Sequence, residues 1–455
     1  MKKISFCGIS GSGMSALAQV LCLSGYDVRG SDRNFDLGRD LKNKAALENL
    51  GIKIYPQNGS AIDKELDFLC ASTAVEDTIP DIKKAKELGV KIISRPELLA
   101  QILHKYKYSV AVGGTSGKTT TTAMIGYILD KAGKNPCVIN GGLLRDYENK
   151  KGIPNIIYNN GDICVVEADE SNGSIDLYNP YISLINNISL DHKTLDELQT
   201  LFQNLANRTQ KAVIVNADYE ICNQIKHQNI VRFSLKNPQA EFYAQKITPL
   251  PGGTQYEFKG RIFTLKLIGE FNVSNALAAI AACAQLGTDP YEAAEILQNF
   301  SGTKRRLEVL GEKNGITLID DFAHNPDKVA ASLSALRNYD GRLIVMFQPH
   351  GFGPMRQVGK EIMEKFANYM KKEDILIMPE IFFVGGTVTR DISSADLIKH
   401  AKLCGLKNAF FVNDKKAAEE LILQNVQPKD RIVIMGARDN SLTDLGKQIL
   451  EEIKC

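Results

Sequence analysis

Between Tyr108 and Thr122 the chain reads YSVAVGGTSGKTTTT: an apolar, β-branched run, a glycine turn, and residues that open an amphipathic helix. A strand that empties through glycines into a helix is a unit of an α/β layer, so this stretch commits its part of the chain to a mostly parallel sheet. The spacing Gly114-x-x-Gly117-Lys118-Thr119 fits the phosphate-loop pattern G-x-x-x-x-G-K-[ST] except at its first glycine, where Val112 stands. The mechanics survive that departure. Glycines let backbone N–H groups close on phosphate oxygens, the helix N-terminus adds positive potential, Lys118 supplies a point charge, and the Thr119 hydroxyl can reach Mg²⁺. The expectation is an ATP or GTP user, with Gly114, Thr115, Ser116, Gly117, Lys118, Thr119 and Thr120 around the phosphates.

At 455 residues the chain exceeds one ordinary core, and roughly three domains are expected. A formal net charge of +2 without a basic run argues against a nucleic-acid binder that works by bulk electrostatics. Small, charged metabolites fit better. Nine cysteines, odd in number and without a C-x-x-C pair, point to reduced thiols in a cytoplasmic protein rather than to a disulfide framework or a zinc site. Glycines at 8, 11 and 13 break the apolar N-terminal run, so it does not read as a signal peptide, and no apolar stretch is long enough to span a membrane.

In chain order, Lys3 to Cys7 is a short strand followed by Gly8-Ile9-Ser10-Gly11-Ser12-Gly13-Met14 and a helix. A second strand then ends at Asp32, where a Rossmann-like unit places a ribose partner. This imperfect G-x-G-x-x-G leaves two readings open, a nucleotide site or a tight βα turn. Further strands at Ile52 to Tyr55, Phe68 to Ala71 (running into Ser72) and Val90 to Ile93 complete a first α/β domain ending near Lys107. After the phosphate loop comes the turn at Asn140. Strand Ile163 to Val166 then runs into Glu167-Ala168-Asp169-Glu170-Ser171, and strand Ile182 to Asn187 is followed by Asp191-His192. An acid at the end of a strand beside a phosphate loop is where a nucleotide-hydrolysing site puts a Mg²⁺ ligand. Asn272 and Asn275 precede an alanine-rich helix; their amides suit an adenine edge, while residues of this type standing alone are more often helix caps. Gly302 to Arg306 reads as a hinge with an anion-facing arginine pair. The last domain repeats the pattern, with strands emptying into Asp320-Asp321-Phe322-Ala323-His324, into Gln348-Pro349-His350, and into Gly436-Ala437-Arg438.

Taken in this order, the motifs resemble those of the Mur ligase family, most closely its alanine-adding members. The resemblance covers nearly the whole chain. It implies three domains: 1–107, Rossmann-like and UDP-binding; 108–303, a central ATPase domain with a mostly parallel sheet; and 304–455, a Rossmann-like α/β domain for the acceptor. It implies an ATP-dependent ligase that activates the lactyl carboxylate of UDP-N-acetylmuramate as an acyl phosphate and joins an amino acid to it. Lys118, Glu167, His192, Arg306 and His324 would be catalytic, and Thr119, Glu167 and His192 would hold Mg²⁺. Asn272, Asn275, Arg306 and Asp321 would bind the nucleotide. Ser12, Gly13, Met14, Asp32, Ser72, Asn140, Asp169, Ser171, His350, Arg356 and Arg390 would bind substrates. A monomer or weak homodimer without nucleic-acid or membrane partners is expected.

The match breaks on the acceptor side. Alanine-adding members carry a segment like F-Q-P-H-R-Y-T-R-T-R, whereas here Gly351 and Pro354 occupy two arginine positions. A carboxylate in a closed site needs a charge-assisted partner. Either the acceptor differs or Arg356, Arg390 or Arg438 replaces those arginines. A ligase that reattaches a preformed murein peptide, a Mur-like ligase with another acceptor, a non-catalytic nucleotide-binding module and a dinucleotide dehydrogenase remain as alternatives.

Overall fold

The computed structural model describes residues 2–72, 75–170, 174–189, 194–250, 252–383, 389–437, 439 and 441–453. The chain forms two compact units, one of Met1–Ile247, Tyr256–Leu265 and Phe271–Thr303, the other of Thr248–Gln255, Lys266–Glu270 and Lys304–Cys455. Among the described residues, three sheets of five, ten and six strands run through them.

The five-stranded sheet is parallel throughout, in the order Lys53–Tyr55, Asp27–Ser31, Lys3–Cys7, Phe68–Ala71, Ile92–Ser94. Its order reverses on either side of Lys3–Cys7, and at such a switch point the loops part to leave a crevice. Gly8 fills the floor of that crevice at φ +85, a left-handed conformation in which a Cβ would also meet Ser72 Cβ at 3.2 Å. The helix Ser12–Leu23 starts directly above it.

In the ten-stranded sheet, Tyr108–Gly113 lies between Ile182–Ile185 and Ile163–Glu167 and is parallel to both. All three strands are apolar and buried, as a sheet covered on both faces requires. Their C-terminal ends therefore bring residues 114–117, 168–170 and 186–189 to one edge. The helix Lys118–Lys131 is buried along most of its length between this sheet and the helix Pro290–Leu297. Gly126 permits the close approach, since a Cβ there would come within 2.7 Å of Val138 Cγ2.

In the six-stranded sheet Glu308–Lys313 is the antiparallel edge, and five parallel strands follow: Ile316–Asp321, Arg431–Met435, Leu343–Phe347, Ile375–Met378 and Ala409–Phe411.

Two local expectations change. The alanine-rich helix begins at Glu270 and runs to Gln285, so Asn272 and Asn275 are inside its first turns instead of preceding it, and neither is a cap. Arg305 faces a carboxylate of its own chain and has no guanidinium nitrogen left unengaged for a ligand anion. Its guanidinium is buried, with Nε on Asp320 Oδ1 (3.1 Å) and its other nitrogens on the carbonyls of Gly436 (2.6 Å) and Asp439 (3.1 Å). A buried arginine must satisfy its donors locally, and Asp320, itself fully buried, supplies the countercharge.

Within the first unit, a polar contact ties the first helix to the central sheet. Gln19 donates to Asn155 Oδ1 (2.8 Å) and accepts from the Ile153 N–H (2.7 Å), while the Asn155 amide donates to Ser12 O (2.8 Å). Gln19 and Asn155 are fully buried. Gln19→Leu keeps the bulk but strands the Ile153 N–H and the Asn155 carbonyl, at a cost of about 1–3 kcal/mol. Urea unfolding of the two proteins should show the variant's midpoint lowered accordingly.

Candidate active site

The turn after Tyr108–Gly113 is held from behind by the neighbouring strand's exit. The Thr115 N–H donates to the Asn187 carbonyl (3.1 Å) and the Ser116 N–H to Asn187 Oδ1 (2.8 Å); the Asn187 amide donates back to Ser116 O (3.0 Å). Gly114 is forced by this arrangement: its φ is +126, and a Cβ would lie 3.0 Å from both the N and the O of Asn187. Gly117, at φ +86, is the N-cap of the helix Lys118–Lys131, and no side chain caps that end. The first N–H groups of a helix lack intrahelical acceptors, so the turn presents donors and positive potential where an anion would sit. The residues present fit a polyphosphate.

Thr119 and Glu167 meet across the loop. The Thr119 hydroxyl donates to Glu167 Oε2 (3.0 Å), and the Gly141 N–H donates to Oε1 (2.6 Å). A Cβ on Gly141 would come within 2.8 Å of Glu167 Oε1, so the close approach needs glycine. One hydroxyl and one carboxylate side by side are hard oxygen donors of the kind Mg²⁺ takes. Asp191, His192 and Ser171 lie outside the described residues, as does Arg438. Among the described residues no group of three or more His, Cys, Asp or Glu is placed so that it could hold a metal ion.

Lys118 Nζ donates to Gly114 O (2.7 Å) and to both oxygens of Glu170 (3.0 and 2.8 Å). Behind the loop runs a chain of amides. Asn186 donates to Thr121 Oγ1 (2.8 Å) and to Asn275 Oδ1 (3.1 Å), and Asn275 donates to Asn272 Oδ1 (3.3 Å). The sequence marks Glu170 and Asn187 only as members of segments resembling the Mur ligase family's metal-binding segments, with no role of their own, and does not single out Asn186. The only signal was position: amides directly after one buried strand and a third acid shortly after another. Thr120 is buried in the same helix.

At the switch point of the first sheet, Ser12, Gly13 and Met14 open the helix Ser12–Leu23. Asp32 accepts from the Ser10 N–H (2.8 Å) and caps the next short helix through the Asn34 N–H (2.8 Å). The Ser72 N–H is held by Cys7 O (3.1 Å). Arg95, which the sequence did not single out, reaches the same place, its Nη1 lying 3.1 Å from where a Cβ on Gly13 would be. Asn140 is buried and donates to Gly142 O (2.9 Å), and Asp169 accepts from the Ser174 hydroxyl through its carbonyl (3.1 Å).

The second unit gathers its own set. His324 Nδ1–H donates to Phe322 O (2.8 Å), and its ring stands edge-on to His350 with centroids 5.4 Å apart. Burial first, then the nearby Lys328 charge, lower its pKa from 6.5 to about 3, so the ring is neutral at neutral pH. Arg306 lies over the Phe322 ring at 5.3 Å. Asp321 is buried, takes the Ser332 hydroxyl and the Leu307 N–H, and its pKa is raised chiefly by burial. His350 is buried, and its neighbour Gly351 donates its N–H to Phe382 O (3.0 Å). Arg356 turns Nε (3.0 Å) and Nη2 (2.5 Å) onto Asp391 Oδ1, whereas Arg390 stacks over Phe352 (5.7 Å) and Phe383 (4.8 Å).

Three family models match in succession: "Mur ligase family, catalytic domain" over residues 3–107, "Mur ligase middle domain" over 112–283, and "Mur ligase, glutamate ligase domain" over 305–438. A UDP-N-acetylmuramate–L-alanine ligase of Sulfurihydrogenibium sp. is 35% identical, the match covering 98% of this chain and 96% of that one. The chain belongs to the Mur ligase family. Another relative of the same name, from Caldanaerobacter subterraneus, is 33% identical over 100% of this chain and 98% of its own. Among solved structures, this Mur ligase is similar to the UDP-N-acetylmuramate-alanine ligase of Thermotoga maritima, with TM-score 0.81, 28% identity and 99% coverage of both chains. A murein peptide ligase from Psychrobacter arcticus shares the fold, at TM-score 0.70 and 22% identity over 100% of this chain and 99% of its own. The three-domain α/β architecture is that of the family.

The depressed pKa of His324 makes a pH prediction. Below 6.5 the unfolded chain binds a proton at this residue that the folded ring resists down to about 3. Its contribution to stability is therefore full above 6.5 and is lost as pH falls toward 3. His324→Gln should flatten the decline of the unfolding midpoint between pH 7 and pH 5 relative to the parent, measured by denaturant titration at each pH.

Proposed function

We propose that the chain joins L-alanine to the lactyl carboxylate of UDP-N-acetylmuramate while ATP is cleaved to ADP and phosphate. As a Mur ligase it is an ATP-dependent amide-forming ligase. The observation that carries the proposal is the meeting of Lys118, Thr119 and Glu167 at one uncapped helix N-terminus, in a chain aligned end to end with alanine-adding relatives. The proposed domains are 1–107 for the UDP-sugar, 108–303 for ATP and 304–455 for the acceptor. The protein is taken to act in the cytoplasm as a monomer or weak homodimer; among the described residues no helix is long and apolar enough to cross a membrane.

A carboxylate is a poor electrophile for an amine at neutral pH. In this reading the lactyl carboxylate first attacks the γ-phosphorus of ATP, giving an acyl phosphate and ADP. The acceptor's neutral amine then adds to the acyl carbon, the C–O bond to phosphate breaks, and the proton lost from nitrogen leaves with the phosphate or to solvent. No enzyme nucleophile is required. The uncapped helix N-terminus and Lys118 bind and orient the phosphates, and Asn187 holds the turn rigid beneath them. Thr119 and Glu167 would hold Mg²⁺, and His192 a second Mg²⁺; bound there, the ions would supply charge neutralisation on the transferred phosphoryl group. Ser12, Gly13, Met14, Asp32 and Ser72 suit the UDP moiety at the first crevice, and Asn140, Asp169 and Ser171 the sugar end. Asn272, Asn275, Arg306 and Asp321 are assigned to the nucleotide. His324, neutral and with Nε2 as its lone-pair nitrogen, is assigned to the reacting end, and His350, Arg356 and Arg390 to the acceptor.

One observation keeps a larger acceptor in play. Gly351 and Gly353 carry no side chain, and a Cβ at Gly353 would meet nothing within 4 Å. Phosphate release with UDP-N-acetylmuramate should be measured across single amino acids and short murein peptides, with mass detection of the product. L-Alanine is expected to stimulate most. Stimulation by peptides alone would move the assignment to a recycling ligase. Lys118→Ala should lower kcat/KM by about 10²–10³-fold, and retained full turnover would remove Lys118 from the catalytic set.

A further inference from the structure

An ammonium has three N–H donors, and three acceptors surround Lys118 Nζ: Gly114 O at 2.7 Å, Glu170 Oε1 at 3.0 Å and Glu170 Oε2 at 2.8 Å. The carbonyl belongs to the turn itself. A phosphate oxygen that takes a hydrogen bond from Lys118 therefore takes it from Glu170. Both side chains are largely withdrawn from water, at 17% and 8% exposure, where solvent and salt screen an ion pair far less than at the surface. Glu170 follows Glu167, the last residue of its strand, by three residues, yet the two acids are turned to different partners: Glu167 takes the Thr119 hydroxyl and the Gly141 N–H, Glu170 takes the lysine.

We infer that Glu170 is a positioning residue that holds the phosphate-loop lysine and is exchanged for nucleotide phosphate when nucleotide binds. The inference rests on the reading of residues 114–119 as a nucleotide cradle and adds to it a competing anion built into the chain. The pair fixes the lysine at the mouth of the turn, within reach of Gly114 O. It also lowers nucleotide affinity, because each phosphate contact to Lys118 is made at the expense of a buried ion pair. A carboxylate released in this way needs another cation or solvent, so entry of nucleotide is coupled to movement of the loop that carries Glu170.

Calorimetric titration of a non-hydrolysable ATP analogue into the full-length protein tests this, in EDTA and again in excess Mg²⁺. The proteins compared are the parent, Glu170→Gln, Glu170→Asp, Lys118→Ala and the Lys118→Ala/Glu170→Gln double variant. Glu170→Gln should bind about tenfold tighter than the parent in EDTA, the size expected when one charge-assisted contact is relieved. Glu170→Asp keeps the charge but is too short to bring both oxygens to Nζ, and should fall between the two. In the Lys118→Ala background the Gln substitution should have no effect.

Equal or weaker binding by Glu170→Gln in EDTA overturns the inference. So does a gain of the same size without Lys118, which would mark general charge repulsion instead of the contact. A change confined to Mg²⁺ would make Glu170 a metal ligand and overturns the exchange too. Should Glu170→Gln lack a cooperative unfolding transition, Glu170→Asp against the parent carries the same comparison. A parent protein that binds no nucleotide in either condition overturns the cradle reading itself, so the two failures are distinguishable.

Discussion

The site in the first unit depends on how one strand leaves its sheet. Tyr108–Gly113 lies between two parallel neighbours, so the chain can turn only at its C-terminal end, and it does so against the backbone of Asn187. At that contact there is no room for a side chain on residue 114. The turn then gives up two of its own N–H groups, those of Thr115 and Ser116, to Asn187. The cost is fewer donors for a ligand. The gain is a turn whose remaining donors, at the head of the Lys118–Lys131 helix, are fixed in direction before anything binds, which is what electrostatic preorganisation requires. The same clamp explains why the first glycine of the general pattern is dispensable: residue 112 is still inside the strand, in register with Glu167 and Leu184, and Val suits a buried parallel strand.

Much of the fold was legible because buried parallel strands are written as short apolar runs that stop at glycine, asparagine or an acid. That pattern located the strands that carry the site in each sheet, with ends wrong by a residue or two, as at Val90 to Ile93 against Ile92–Ser94. The helix start at Glu270 was not legible. Asn272 and Asn275 are poor interior helix residues, because their amides compete for the backbone. Here that competition is removed by tertiary partners: Asn275 is engaged by Asn186, Thr121 and Asn272. A residue whose helix penalty is relieved by an amide 89 positions away in sequence cannot be read locally. The Lys118–Glu170 pair was hidden for the same reason, since the direction of a loop decides which of two nearby acids meets the lysine.

The second unit shows the limit from the other side. Arg305 and Arg306 are adjacent and alike in sequence, and only packing separates them. Arg305 is at a positive φ of 58 and its guanidinium is consumed by Asp320 and two carbonyls. That bond set ties the start of the unit to the loop after Arg431–Met435, so one arginine of the pair is a structural brace. Asp320 and Asp321 divide in the same way, alternating across their strand: Asp320 meets Arg305 and Thr443, while Asp321 meets Ser332 and the Leu307 N–H. Period-two alternation predicts that adjacent residues of a strand serve opposite faces. It does not say which face is the interior brace.

The same division of labour between like residues governs the charge of the nucleotide site. Two carboxylates three residues apart, aimed at one point, would repel each other and raise each other's pKa. The intervening Ala168 is fully buried, and the loop it anchors sends Glu167 to Thr119 and Glu170 to Lys118. Before any ligand is considered, the acids facing the turn outnumber the lysine there. A polyphosphate brings several more negative charges to that place, and the helix N-terminus offsets only about half of one. Binding must therefore be accompanied either by a cation between Thr119 and Glu167, as in the proposed Mg²⁺ site, or by withdrawal of Glu170. The two routes act on different acids, and this is the physical sense in which the loop Glu167 to Glu170 carries two functions: one carboxylate suited to gain a cation as the other loses one.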